Sequence, residues 1–200
     1  MLNVIKTALA SSTAKIGVVT NNIANVGTTA FKRSDALFQD MYLTGGNANG
    51  PTPGSGSKLQ INRVTHHPAE LKRTGVTSDL GINGWGMFML GKPDPSKPGE
   101  LEGEVTYTRN GSFQLDADGF LTSNDGLYVL SKDSAPIQID FSKNGIPLSE
   151  FNVDPDGNIM TAYGMASAEP GEQLGIAAWD NPTALAQMGG GRFKAAQLQP

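Results

Sequence analysis

Two short acidic motifs are the first candidates for chemistry in this chain. Asp116-Ala117-Asp118-Gly119 and Asp154-Pro155-Asp156-Gly157 each set two carboxylates two residues apart beside a glycine. Paired carboxylates hydrolyse glycosides when they face each other across a cleft, and Asp-rich loops can hold calcium. An EF-hand loop, however, needs glycine at its sixth position and glutamate at its twelfth, between helices. Here glycine is fourth and strand-like residues flank it, so both motifs are expected to be hairpin turns. His66 and His67 are the only histidines. As neighbours on a strand they would point to opposite faces and would not chelate one ion. The chain has no cysteine, which leaves zinc short of its usual three or four protein ligands. No Gly-x-Ser-x-Gly elbow is present. Gly189-Gly190-Gly191 and Gly84-Trp85-Gly86 lack the strand–turn–helix setting of a phosphate cradle. The expectation is a protein with no catalytic residues, no metal and no cofactor.

Composition narrows the classes further. The 200 residues suit one domain, or one domain and an appendage. The formal net charge of −4 comes from interspersed charges, so nothing argues for a nucleic-acid partner. Only 38% of residues are apolar, while 25 glycines and 12 prolines point to many turns and short strands. No apolar run approaches the roughly 18 residues that would read as a bilayer span, so direct membrane insertion is not expected. The first residues do not read as a Sec signal peptide, because Lys6 interrupts them and Ala, Ser and Thr follow. Export, if it occurs, is expected by a route without a cleaved signal.

A non-catalytic chain must act through its surfaces, and the opening segment supplies one. Leu2, Ile5, Leu9, Ile16, Val19, Ile23 and Val26 recur at gaps of three and four, with Ser12 at the one missing turn. That is heptad spacing, and it predicts an α-helix over residues 3–26 with a narrow apolar stripe. Such a stripe suits a partner helix better than the broad face that a globular core needs. In the isolated chain the helix would lack that partner, so residues 1 to about 30 are expected to order on assembly. Gly27 is the expected left-handed cap.

After the helix, Leu37, Phe38, Met41 and Tyr42 make a short apolar patch, and residues 44–57 read as a flexible linker by composition. From Leu59 the period changes to two. Strands are expected at 59–64, 82–90, 105–109 and 112–115, with one possible helical turn at Thr183–Met188. The segment Phe113-Gln114-Leu115-Asp116-Ala117-Asp118-Gly119-Phe120-Leu121 recurs as Phe151-Asn152-Val153-Asp154-Pro155-Asp156-Gly157-Asn158-Ile159. Each copy reads as a hairpin whose Asp-Gly supplies a positive-φ turn. The fold class is therefore mainly β with an N-terminal α-helix, the β-hairpins curling into an irregular barrel or sandwich. Its expected divisions are a helix and following motif (1–43), a linker (44–57) and a β-rich outer domain (58–200).

Residues 21–33, Asn-Asn-Ile-Ala-Asn-Val-Gly-Thr-Thr-Ala-Phe-Lys-Arg, resemble the N-terminal signature of the bacterial flagellar rod and hook proteins. That signature reads Asn-Asn-[Ile/Leu]-Ala-Asn, two variable residues, then Thr-x-Gly-Phe-Lys. Further segments agree in order: Thr74-Gly75, Asp79-Leu80-Gly81-Ile82-Asn83-Gly84-Trp85-Gly86-Met87-Phe88, Tyr107-Thr108-Arg109-Asn110-Gly111-Ser112-Phe113, and Leu174-Gly175-Ile176-Ala177 with Asn181-Pro182. The chain departs from the pattern at Ala30, Gly81 and Met87, where the family has Gly, Ala and Phe. The family also continues into a second heptad-bearing helix, and residues up to Pro200 carry no such pattern.

The resemblance implies a building block. Subunits of this kind stack helically into the axial shaft, terminal helices inside and β-domains outside, after export through the flagellar type III apparatus. The expected site is thus an assembly interface of Leu2, Ile5, Leu9, Ile16, Val19, Ile23, Val26, Asn22, Asn25 and Phe31. Expected partners are other copies, homologous rod and hook proteins, the export apparatus and ring proteins around the rod. The expected location is the flagellar basal body, spanning the periplasm. Only Pro136–Ser149 separates the hairpin region from the second Asp-x-Asp-Gly turn, which favours a rod subunit over a hook subunit with its large insert. A rod-assembly accessory and, from another class, a cell-wall-binding or muralytic β-domain are the alternatives.

Overall fold

A computed structural model of the protein describes residues 2–42, 54–64, 71, 73–179 and 185–195. The chain forms two compact units, Met1–His67 and Pro68–Pro200. In the first, helix α1 (Leu2–Ala24) is followed by strands β1 (Ser34–Tyr42) and β2 (Gly54–Val64), which pair antiparallel. This corrects the sequence reading at three points. The strand at Leu59–Val64 pairs with β1 and so belongs with the helix, not with the β-rich body. Residues 54–57, read as linker, open β2, and residues 44–53 of that linker lie outside the described residues, as do His66 and His67. The helix ends at Ala24, leaving Val26 in the turn beyond it.

The left-handed residue after the helix is not Gly27 but Ala30, at φ 59°. A Cβ crowds the carbonyl in this conformation, which is why glycine is favoured there. The bend therefore stays where the family carries glycine, with alanine taking the strained position.

The second unit is a set of antiparallel strands: β3 (Met87–Gly91), β4 (Thr106–Thr108), β5 (Phe113–Leu115), β6 (Leu121–Ser123), β7 (Tyr128–Val129), β8 (Ser142–Lys143), β9 (Ile146–Val153), β10 (Asn158–Tyr163), β11 (Glu169–Gln173), β12 (Ile176–Ala177), β13 (Leu185–Gly189) and β14 (Arg192–Ala195). The larger sheet runs β13-β14-β4-β3-β7-β6-β5, and β12 also pairs with β3. The smaller runs β11-β10-β9-β8. Among the described residues the protein is thus mainly β with one N-terminal helix. Residues 185–188, read as part of a helical turn, lie in β13 instead. Pairing with β14 outweighs the local helix preference of Leu185 and Ala186.

Alternation along β3 builds two cores at once. Phe88 and Leu90 enter a cluster with Phe113, Leu121, Val129, Ile137, Ile139, Ile159 and Leu174. Met87 joins Tyr107, Ala177, Leu185 and Phe193 in another. Successive strand side chains point to opposite faces, so one short strand serves both. Ile159 of the smaller sheet shares the first cluster, which ties the two sheets together.

The internal repeat folds as two matching hairpins. Asp116 N–H donates to Phe120 O at 2.9 Å and Gly119 N–H to Asp116 O at 3.0 Å. Asp154 N–H donates to Asn158 O and Gly157 N–H to Asp154 O, both at 3.0 Å. Gly119 and Gly157 take φ of 82° and 84°, the values their turns require. Each glycine carbonyl then accepts from a further segment, Ile139 N–H and Leu174 N–H, both at 2.8 Å.

Candidate assembly surface

Helix α1 has two faces of different chemistry. Thr7, Ser11, Ala14, Val18 and Asn22 recur at four and three residues along one side, and all are half-buried. Ser11 Oγ lies 2.8 Å from Ser57 Oγ of β2. A Cβ on Gly56 would overlap Thr7 Oγ1, so β2 approaches the helix backbone closely there. Thr7, Ala10 and Ser11 also line a cavity of about 320 Å³ with Met41, Ser57, Lys58 and Leu59. The helix therefore rests on its own hairpin through small and polar residues.

The residues of the apolar stripe stand on the other side. Each residue turns the helix by about 100°, so positions 5 and 9 lie some 160–200° from position 7. Ile5, Leu9, Ile16 and Ile23 are 64%, 67%, 65% and 67% exposed, and Leu2 and Val19 are exposed as well. No residue of α1 is buried. Val26 is exposed but beyond the helix end, so it does not extend the stripe.

The three remaining candidates are placed differently. Asn22 faces the hairpin: its Nδ2 donates to Ser34 O at 2.8 Å and its Oδ1 accepts from Ser34 N–H at 3.1 Å. Asn25 closes the helix end, donating through Nδ2 to Asn21 O at 2.9 Å and accepting from Thr28 Oγ1 at 3.3 Å. Phe31 is half-buried and its N–H bonds Thr28 O at 3.2 Å. None of the three lies on the apolar stripe. The signature motif thus organises the helix end, while the stripe is a separate surface. Sequence reasoning missed Ser11, Ser34 and Ser57, which join helix to hairpin. Small and polar residues at helical spacing opposite the stripe were the one available signal.

In the β-unit the acidic motifs act as turns. Asp154 Oδ1 accepts from Asp156 N–H and Asn158 N–H, each at 2.9 Å, and Oδ2 accepts from Asn158 Nδ2 at 3.0 Å. These bonds, the Asn158 side chain first, hold its carboxyl below the ordinary pKa of 3.8. Asp116 Oδ1 accepts from Ala117 N–H at 2.6 Å. Among the described residues no cluster of three or more metal-ligating side chains is present. The segment at 107–113 is likewise structural. Arg109 donates to the carbonyls of Ile82, at 3.2 Å, and Gly84, which fixes the bend ahead of β3. Burial lowers its pKa, though a guanidinium stays protonated in proteins. Phe113 meets Phe88 edge-on, with ring centroids 5.1 Å apart. Among the described residues no helix is long and apolar enough to cross a membrane.

The sequence is similar to known proteins. Residues 81–161, from the bend before β3 into β10, match the model of the flagellar hook protein FlgE/F/G D1 domain. The flagellar basal-body rod protein FlgG of Bacillus subtilis (strain 168) is 31% identical over 191 residues, covering 90% of this chain and 67% of that protein. The chain belongs to the flagellar rod and hook protein family. FlgG of Buchnera aphidicola subsp. Acyrthosiphon pisum is 33% identical over 156 residues, 70% of this chain and 57% of that protein. The flagellar hook protein FlgE of Caulobacter vibrioides is 35% identical over 123 residues, but these are only 20% of the hook protein. The chain therefore spans 67% and 57% of these two rod relatives and a fifth of this hook relative.

Proposed function

We propose that the protein is a structural subunit of the flagellar basal-body rod, joining the axial shaft through its N-terminal helix and contacts between β-units. The observation that carries this reading is the outward stripe of Leu2, Ile5, Leu9, Ile16, Val19 and Ile23 on a helix whose other face is occupied. An exposed apolar stripe of this spacing is covered by another helix in a coiled-coil manner. Each large side chain so buried contributes about 1.5–3 kcal/mol. The partners are helices of other copies and of homologous rod and hook proteins. Rod is favoured over hook because the rod relatives match over most of their length and the hook relative over a small part. Export through the flagellar apparatus, a place inside the surrounding rings and a location in the periplasm-spanning basal body follow from the same reading.

Electron microscopy of the concentrated protein, together with its neighbouring axial proteins, tests the proposal. Ile16→Asp and Ile23→Asp are expected to abolish incorporation while leaving the β-unit folded. Incorporation of either variant at the level of the unaltered chain would overturn it.

A further inference from the structure

We infer that Asn22 is a positioning residue that fastens the helix to the β1–β2 hairpin and so holds the apolar stripe outward. A primary carboxamide can present an N–H donor and its oxygen acceptor side by side, as the N–H and C=O of one residue in an antiparallel strand do. Asn22 uses both on a single residue, donating to Ser34 O at 2.8 Å and accepting from Ser34 N–H at 3.1 Å. In an antiparallel strand the N–H and C=O of one residue point to the same side. Asn22 therefore occupies the edge of β1 as a neighbouring strand would. Ser34 is buried at 8% exposure opposite Val64 of β2, and Asn22 gives its N–H and its carbonyl a partner each. Near the other end of the helix, the Ser11–Ser57 hydroxyl contact and the close pass of Gly56 under Thr7 fix a second point.

Two fixed points along one face set the rotation of the helix about its axis, and rotation decides which residues meet a partner. The hairpin and the stripe lie on opposite faces, so the brace persists while the stripe is covered. This inference deepens the proposed function and rests on it for what the stripe meets.

Hydrogen exchange and sedimentation on the full chain test it. Alanine has the higher intrinsic helix propensity, so a merely local role predicts an unchanged or better protected helix in Asn22→Ala. The brace predicts the reverse: exchange across residues 14–24 about 30-fold faster, the factor for two ordinary hydrogen bonds. It also predicts self-association shifted to at least tenfold higher concentration. Asn22→Asp keeps the acceptor toward Ser34 N–H but sets an oxygen against the Ser34 carbonyl, and is expected to lie between. Ile16→Asp is expected to keep helix protection and lose self-association. Unchanged protection in Asn22→Ala overturns the brace. Normal self-association of Ile16→Asp overturns the proposed function and leaves the brace to be judged on exchange alone.

Discussion

The α-carbon of Gly111 lies directly against the carbonyl of Leu80, and the two residues also share a hydrogen bond from Leu80 N–H to Gly111 O at 2.8 Å. A Cβ at position 111 would overlap both the oxygen and the carbon of that carbonyl, with the Phe88 ring 3.3 Å away. Backbone cannot move aside as a side-chain tip can. The segment ahead of β3 and the turn ahead of β5 are joined at this point.

Gly111→Ala is therefore expected to destabilise the β-unit by about 3 kcal/mol, the upper range for overpacking a closed site. Urea unfolding followed by tryptophan fluorescence measures this. Gly27→Ala is the control, since a Cβ there meets open space; its unfolding midpoint should match that of the unaltered chain.

Ala30→Gly should act in the opposite sense. Ala30 holds φ 59°, a conformation costing an L-residue roughly 1–2 kcal/mol. Glycine removes that strain but loses more entropy on ordering, by roughly 0.5–1 kcal/mol. A net gain of about 0.5–1 kcal/mol is expected, read as slower hydrogen exchange at Phe31 and Ser34. Faster exchange there would show that the bend carries no strain.

Acid should loosen the β9–β10 turn later than an ordinary carboxylate would allow. Hydrogen bonds from the Asn158 side chain and backbone depress the Asp154 pKa below its usual value. A depressed pKa contributes stability that is complete above the unfolded-state value and is lost as pH falls through the folded one. Carboxyl NMR titration of Asp154 should thus give a midpoint below 3.8, and Asn158→Ala should move it upward. A midpoint indifferent to Asn158 would show that the side chain contributes nothing.

Much of the β-unit was legible because its signals are local. Asp116-Ala117-Asp118-Gly119 and Asp154-Pro155-Asp156-Gly157 state their turns in four residues, and the flanking alternation states the strands. The helix was equally plain, within two residues of its end. What was hidden depends on distant pairing. Gly54-Ser55-Gly56-Ser57 has the composition of a linker, and becomes strand because β1 pairs with it and Thr7 leaves no room for a side chain at Gly56. Leu185 and Ala186 favour helix in isolation, and β14 decides otherwise. For the candidate surface, the stripe could be read from spacing alone. The partition of the signature asparagines could not, because Asn22 reaches a strand edge twelve residues on and no periodicity encodes that reach.

One edge of β3 is shared by β7 and β12, and Ser131 forms a bridge with Leu174. The polypeptide thus returns to its point of departure after making the entire smaller sheet, with Gly175 N–H fastened to Leu130 O at 2.9 Å like a clasp. A detour with abutting ends can be lengthened at its far tips, Asn144-Gly145 or Gly164-Met165, without any strand of the larger sheet changing register. Evolution or an engineer could hang extra mass there while the larger sheet keeps its pairing.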